Sequence, residues 1–121
     1  MKKTFLFAVV TMLSLFASDA RAADAAFDSF WTKFKAALQK NDKEAIATMT
    51  KLPYQGGDKP MDRKAFIANS EKIFPKKTRN CLVKEKPVLD KTSYFVFCGE
   101  EIFIFEKVNG KYLFTEIGVN D

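Results

Sequence analysis

The sequence predicts an α+β domain, with three N-terminal helices packed on a curved antiparallel sheet of about four strands. Three observations predict it. Apolar residues recur at helical spacing from residue 27 to Pro75. After Pro75 the period changes to two. Near the end, Asn109-Gly110 joins two apolar runs, the strongest short-range hairpin signal.

The first segment reads as an export signal. Lys2 and Lys3 precede an apolar run from Thr4 to Phe16, and Ala20-Arg21-Ala22 sets small residues at the two positions read by signal peptidase. Residues 1–22 are therefore expected to be a signal peptide, with cleavage after Ala22 or Ala23. The run is too short for a membrane anchor, which needs about 20 residues. Residues 23–121 form the expected single domain, periplasmic or secreted, with no membrane segment. Cleavage would remove Lys2, Lys3, Arg21 and Asp19, lowering the net charge from +5 to +3. The remaining basic residues are scattered, which argues against a nucleic-acid partner.

The first helix is expected over 25–40, with Phe27, Phe30, Trp31, Phe34 and Leu38 on one face and Asn41 at its end. Asp42 caps a second, shorter helix bearing Ala45, Ile46 and Met49. Residues 52–60 hold two Pro and a Gly pair, hence a loop, with room for a short edge strand at its start. Asp62 caps a third helix, Met61 and Phe66 form a hydrophobic staple, and Pro75 stops it.

Strands are expected over 79–86, 93–98, 101–108 and 111–119. The Asn109-Gly110 turn places Phe105 opposite Phe114 and Phe103 opposite Glu116. Gly99-Glu100, read as a second two-residue turn, places Val96 opposite Phe103; the alternative is a bulge at Gly99 in one long bent strand. Pairing Cys81 with Cys98 puts Val83 opposite Val96. One face then carries Cys81, Val83, Tyr94, Val96, Cys98, Phe103, Phe105, Tyr112, Phe114 and Glu116. The other carries Leu82, Phe95, Phe97, Ile102, Ile104, Leu113, Thr115 and Ile117. Cys81 and Cys98 are expected to form a cross-strand disulfide, since export places them in an oxidising compartment. A redox role is the alternative, but no Cys-x-x-Cys is present to lower a thiol pKa.

The order of elements resembles the nuclear-transport-factor-2-like superfamily, a cystatin-like cone of helices on a curved sheet. The residues that carry the resemblance are Phe27-x-x-Phe30-Trp31-x-x-Phe34, Asn41-Asp42-Lys43-Glu44, and Phe105-Glu106-Lys107-Val108-Asn109-Gly110-Lys111-Tyr112. It implies a helix-on-sheet cone over residues 25–119, and back-to-back sheet dimers are frequent among its members. Enzymatic members often use Asp–His pairs. This chain has no His, so that chemistry does not carry over, and His-based triads and zinc sites are excluded with it.

The candidate ligand pocket comprises Trp31, Tyr54, Tyr94, Phe103, Tyr112 and Glu116, which would set polar tips among aromatic walls. Glu116, placed by register among Phe103, Phe114 and Tyr112, is the one weak catalytic candidate, since a carboxyl in an aromatic pocket can have a raised pKa. Lys72, Lys76, Lys77 and Arg79 form a basic cluster that complements a helix C-terminus and aids solubility, or meets an acidic partner or an anionic lipid surface. No residue spacing suggests a metal or a cofactor. Phe95, Phe97, Ile102, Ile104 and Ile117 form an apolar second face, expected to be covered by a homodimer, by another protein or by sheet curvature. The expected function is an exported non-enzymatic binding module, taking a small apolar ligand or a protein partner. The alternatives are an inhibitor or immunity-type protein for an exported enzyme, and a small enzyme using Glu116.

Overall fold

A computed structural model describes residues 25–120. The expected signal peptide and its cleavage site lie outside the described residues. The described residues divide between two units, with the boundary between Trp31 and Thr32.

In the first unit the described residues open helix α1, residues 25–40. Phe27 stacks on Trp31 at 6.2 Å between ring centroids and tilts against Phe30 at 5.9 Å. The i, i+3 and i, i+4 spacing read from the sequence is what brings these rings together.

In the second unit α1 ends as its sequence requires. Asn41 adopts a left-handed φ of 52°. Its N–H donates to the Leu38 carbonyl, and the Asp42 N–H to that of Ala37, at 3.1 and 2.9 Å. These are the two bonds of a Schellman close. Asp42 then caps α2 (Lys43–Thr48), accepting from the Ala45 N–H at 3.1 Å. Asp62 caps α3 (Arg63–Ala68) in the same way, accepting from the Ala65 N–H at 2.9 Å.

Here the count changes, among the described residues, from three helices to five. Asn69 interrupts the expected third helix, because its side-chain amide turns back to the Ala65 carbonyl at 2.8 Å. The chain resumes as α4 (Ser70–Ile73) and then α5 (Lys76–Lys84). Two isolated bridges, Thr50 with Phe114 and Tyr54 with Met61, lie between α2 and α3. Thus α3, α4 and α5 stand between bridged segments and the main sheet, rather than in one N-terminal block.

The expected strand over 79–86 is helix α5. Pro75 is not only a stop. Its extended backbone is the N-cap of the next helix. The apparent alternation of Cys81 and Val83 around Leu82 reflects a helix that buries one residue, Leu82, and leaves its neighbours half exposed. Leu82 therefore belongs to the core and not to an outer sheet face. The basic cluster moves with this correction. Lys76 and Lys77 stand in the first turn of α5, not at a helix C-terminus, so they do not complement a dipole there. Arg79 donates to the Phe74 carbonyl at 2.7 Å and pairs with Glu71 at 3.4 Å. Glu71 also accepts from the Asn41 amide at 2.6 Å, and these partners, Asn41 first, hold its carboxyl below the usual range.

The sheet has the order β1 (Val88–Asp90), β2 (Ser93–Cys98), β3 (Glu101–Val108), β4 (Lys111–Val119), antiparallel throughout. Asn109 and Gly110 both take positive φ, 51° and 83°, as a type I′ turn requires. Cys98 pairs with Glu101, Val96 with Phe103, and Phe105 with Phe114, as the sequence predicts. The register then shifts between Ile104 and Phe105. Thr115 is the extra residue, so Phe103 meets Ile117 and Ile104 meets Glu116.

The core of the second unit is a phenylalanine cluster. Phe34, Phe66, Phe74, Phe103, Phe105 and Phe114 have no solvent exposure. Phe114 lies at its centre, within 5.1–6.3 Å of the rings of Phe34, Tyr54, Phe74, Phe103 and Phe105. Aromatic pairs at such separations add about 0.5–1.5 kcal/mol each beyond the area they bury.

Candidate functional site

The 52–61 segment builds the site. Leu52-Pro53 is a cis peptide. Tyr54 and Met61 then exchange both backbone hydrogen bonds, at 2.8 and 2.9 Å. This closes the loop 55–60 and turns the Tyr54 ring inward. The ring stacks on Phe114 at 5.7 Å and meets the edge of Phe66 at 5.4 Å. Tyr54 is only 3% exposed.

Gly56 is there because Tyr54 is. A Cβ at Gly56 would overlap the Tyr54 hydroxyl and the ring carbons beside it. Tyr54 is pinned between two rings and has little room to give.

Two concavities meet at this loop and share Gly56 and Ile117. The first, about 260 Å³, lies between the loop, α4 and the ends of β3 and β4. Tyr54, Met61, Lys72, Ile73, Glu101 and Ile117 are among its walls. The second, about 400 Å³, follows β4 past the bulge, with Lys51, Gln55, Glu106, Thr115 and Glu116. There the Thr115 hydroxyl donates to Glu106 Oε1 at 2.7 Å.

The Tyr54 hydroxyl makes no hydrogen bond among the described residues. Burial pushes its pKa up, and the nearby charges of Glu101 and Glu116 push it further. All three effects penalise the phenolate. The group therefore stays a neutral hydroxyl, able to donate and to accept, and does not serve as a base near neutral pH.

The residues predicted for a pocket are not brought together as one site. Phe103 is sealed in the core. Tyr94 and Tyr112 meet edge to face at 5.8 Å near the far hairpin, where Lys107 lies 5.3 Å from the Tyr112 centroid. Trp31 is buried in the first unit. Glu116 is corrected most sharply. The bulge turns it to the exposed outer face opposite Ile104, so it does not stand among Phe103, Phe114 and Tyr112. Ile117 takes the inner register position instead and leaves the predicted apolar outer face. Phe114 and Ile117 are three residues apart, so only the bulge lets both point inward.

The remaining outer face is apolar, with Phe95, Ile102, Ile104 and Leu113 half-buried, and Val88 and Phe97 51% and 40% exposed. A third groove, of about 480 Å³, runs between α1 and α2 over alanine methyls. Asp42, its one carboxylate, is already engaged as a cap. Among the described residues no three His, Cys, Asp or Glu side chains converge as a metal site needs, and no helix is long and apolar enough to cross a membrane.

No protein-family model, curated protein or solved structure matches this chain.

Proposed function

We propose that the chain is an exported, non-enzymatic binding module of the nuclear-transport-factor-2-like type, taking a small ligand in the cavity beneath the 54–61 loop. One observation carries this reading: a tyrosine 97% removed from solvent by its surroundings keeps a hydroxyl with no protein partner at a cavity wall. The hydroxyl meets solvent through the cavity, and a ligand that displaces that water has to supply the partner, since covering a hydroxyl without one costs about 1–3 kcal/mol. The signal-like residues 1–22 and the Cys81–Cys98 bridge support export to the periplasm or beyond. The neutral Tyr54 and the exposed Glu116 supply no base–nucleophile pair, which supports a role in binding over catalysis.

A thermal-shift comparison in a periplasmic small-molecule extract tests it. The wild type should be stabilised and Gly56→Ala should not, because the added methyl drives the Tyr54 hydroxyl from its place. Gly56→Ala itself should cost about 1–3 kcal/mol through overpacking. An extract that stabilises neither protein, or both equally, removes the proposed site.

A second reading concerns the outer sheet face. Its exposed Val88 and Phe97, beside Phe95 and Ile104, support association with a second copy of this chain, sheet to sheet. Light scattering behind size exclusion should then give a dimer at micromolar concentration and a monomer for Phe97→Asp. A wild-type monomer sinks this reading and leaves the cavity untouched.

A further inference from the structure

We propose that the 260 Å³ cavity is built for a small zwitterion, a free amino acid with an aliphatic side chain. This rests on the cavity being the binding site.

The cavity sets opposite charges on different elements. Lys72 comes from α4 and Glu101 from the start of β3. Both line the same space, yet neither forms an ion pair with the other or with any described residue. Two exposed, unpaired charges of opposite sign across one cavity suit a ligand carrying both signs. Tyr54 lines the same cavity, and its hydroxyl, neutral and without a protein partner, is able to meet either end of such a ligand. The apolar part of the wall, Met61, Ile73 and Ile117, takes the aliphatic group.

Each simpler ligand leaves part of the wall unmet. A plain carboxylate would face Glu101, with Glu116 also acting at the Tyr54 hydroxyl. A plain amine would face Lys72. An apolar molecule would cover the hydroxyl and give it no partner, at the desolvation cost that burial of such a group carries. Size agrees as well. The volume lies below the roughly 300–1,000 Å³ of sites for drug-sized ligands.

The test uses L-leucine and L-methionine as probes, with L-leucine methyl ester and N-acetyl-L-leucine as single-charge controls, by calorimetry on the full disulfide-bonded protein. The amino acids should bind. Each control should bind about tenfold more weakly, the weight of one charge-assisted contact. Lys72→Gln should weaken leucine and not the ester, whose ammonium loses a like charge beside it. Glu101→Gln should weaken leucine and not N-acetyl-leucine, whose carboxylate loses a like charge beside it. Tyr54→Phe, which keeps the ring in the core, should weaken leucine without lowering the melting temperature. Equal binding of leucine and both controls overturns the zwitterion assignment, as does failure of both amino acids to bind at about 10 mM, a level that detects even millimolar affinity. If the extract still stabilises the wild type and not Gly56→Ala, only the ligand class has failed. If it does not, the site itself has failed.

Discussion

Phe114→Ala is expected to lower the stability of the domain by about 3–5 kcal/mol, the range for emptying a phenylalanine site in a packed core. Five aromatic rings surround Phe114, and all but Tyr54 belong to residues with no solvent exposure. The cavity left behind cannot collapse easily, because Phe34, Phe74, Phe103 and Phe105 also brace one another: Phe34 meets Phe105 at 5.2 Å and Phe74 meets Phe103 at 5.8 Å. The backbone pairing of Phe114 with Met49 and Lys51 survives truncation, so the loss reports packing. A small domain has about 5–15 kcal/mol in total, and the variant would sit close to the edge. In urea the midpoint should fall by about 2 M for a slope near 2 kcal/mol per molar. Phe97→Ala on the outer face serves as the control and should cost under about 1 kcal/mol. A loss below about 2 kcal/mol for Phe114→Ala would mean that the phenylalanine cluster is loosely packed.

The same residue marks how far the sequence could be read. Signals that act within a few residues were legible. Asp42 and Asp62 cap the helices they precede, Asn41 closes α1, and Asn109-Gly110 makes its turn with both residues at positive φ. Each has a local physical cause that tertiary contacts need only tolerate. Strand registers were legible outward from the two turns as far as the bulge, because parity propagates along a regular ladder. Beyond Thr115 it fails, and one inserted residue moves Glu116 from a predicted aromatic pocket to the exposed face and Ile117 to the inner one.

Helix α5 was hidden for a different reason. It buries Leu82 alone among nine residues, so it has no apolar stripe to reveal a period of 3.6. The short strand β1 was missed with it, because all three of its residues are exposed. Of the site around Tyr54, the sequence named Tyr54 itself as a pocket residue but not its neighbours. The site depends on a bridge to Met61, seven residues along, and on rings from α3 and β4 that no local pattern connects to a loop. Only the Gly56-Gly57 pair hinted that something there needed space.

The weak burial of α5 leads to the second large expectation, which concerns the disulfide. Cys81 and Cys98 are bonded, with Cα atoms 6.0 Å apart. The pairing matches the sequence reading, but the bridge joins helix α5 to the end of strand β2 instead of two strands. That changes its role. A cross-strand bridge would reinforce a ladder that already holds, whereas here the link fastens an element with a single buried side chain. The other ties of α5 to its surroundings include the half-buried Val83 and the Arg79 contacts with the Phe74 carbonyl and Glu71. Removing the bridge, as Cys81→Ala with Cys98→Ala or by reduction of the wild type, should cost about 3 kcal/mol, the loop-entropy value for a ring of this length. The loss should also be local first. Amide exchange should accelerate across α5 and the residues leading into β1 before it does in β3 or β4, because those strands rest on the phenylalanine cluster. Equal stability of the oxidised and reduced proteins to within about 1 kcal/mol would show that Leu82 and Arg79 suffice to hold α5. Uniform acceleration across the whole sheet would show instead that α5 is part of the cooperative core, and that its one buried leucine carries more than its area suggests.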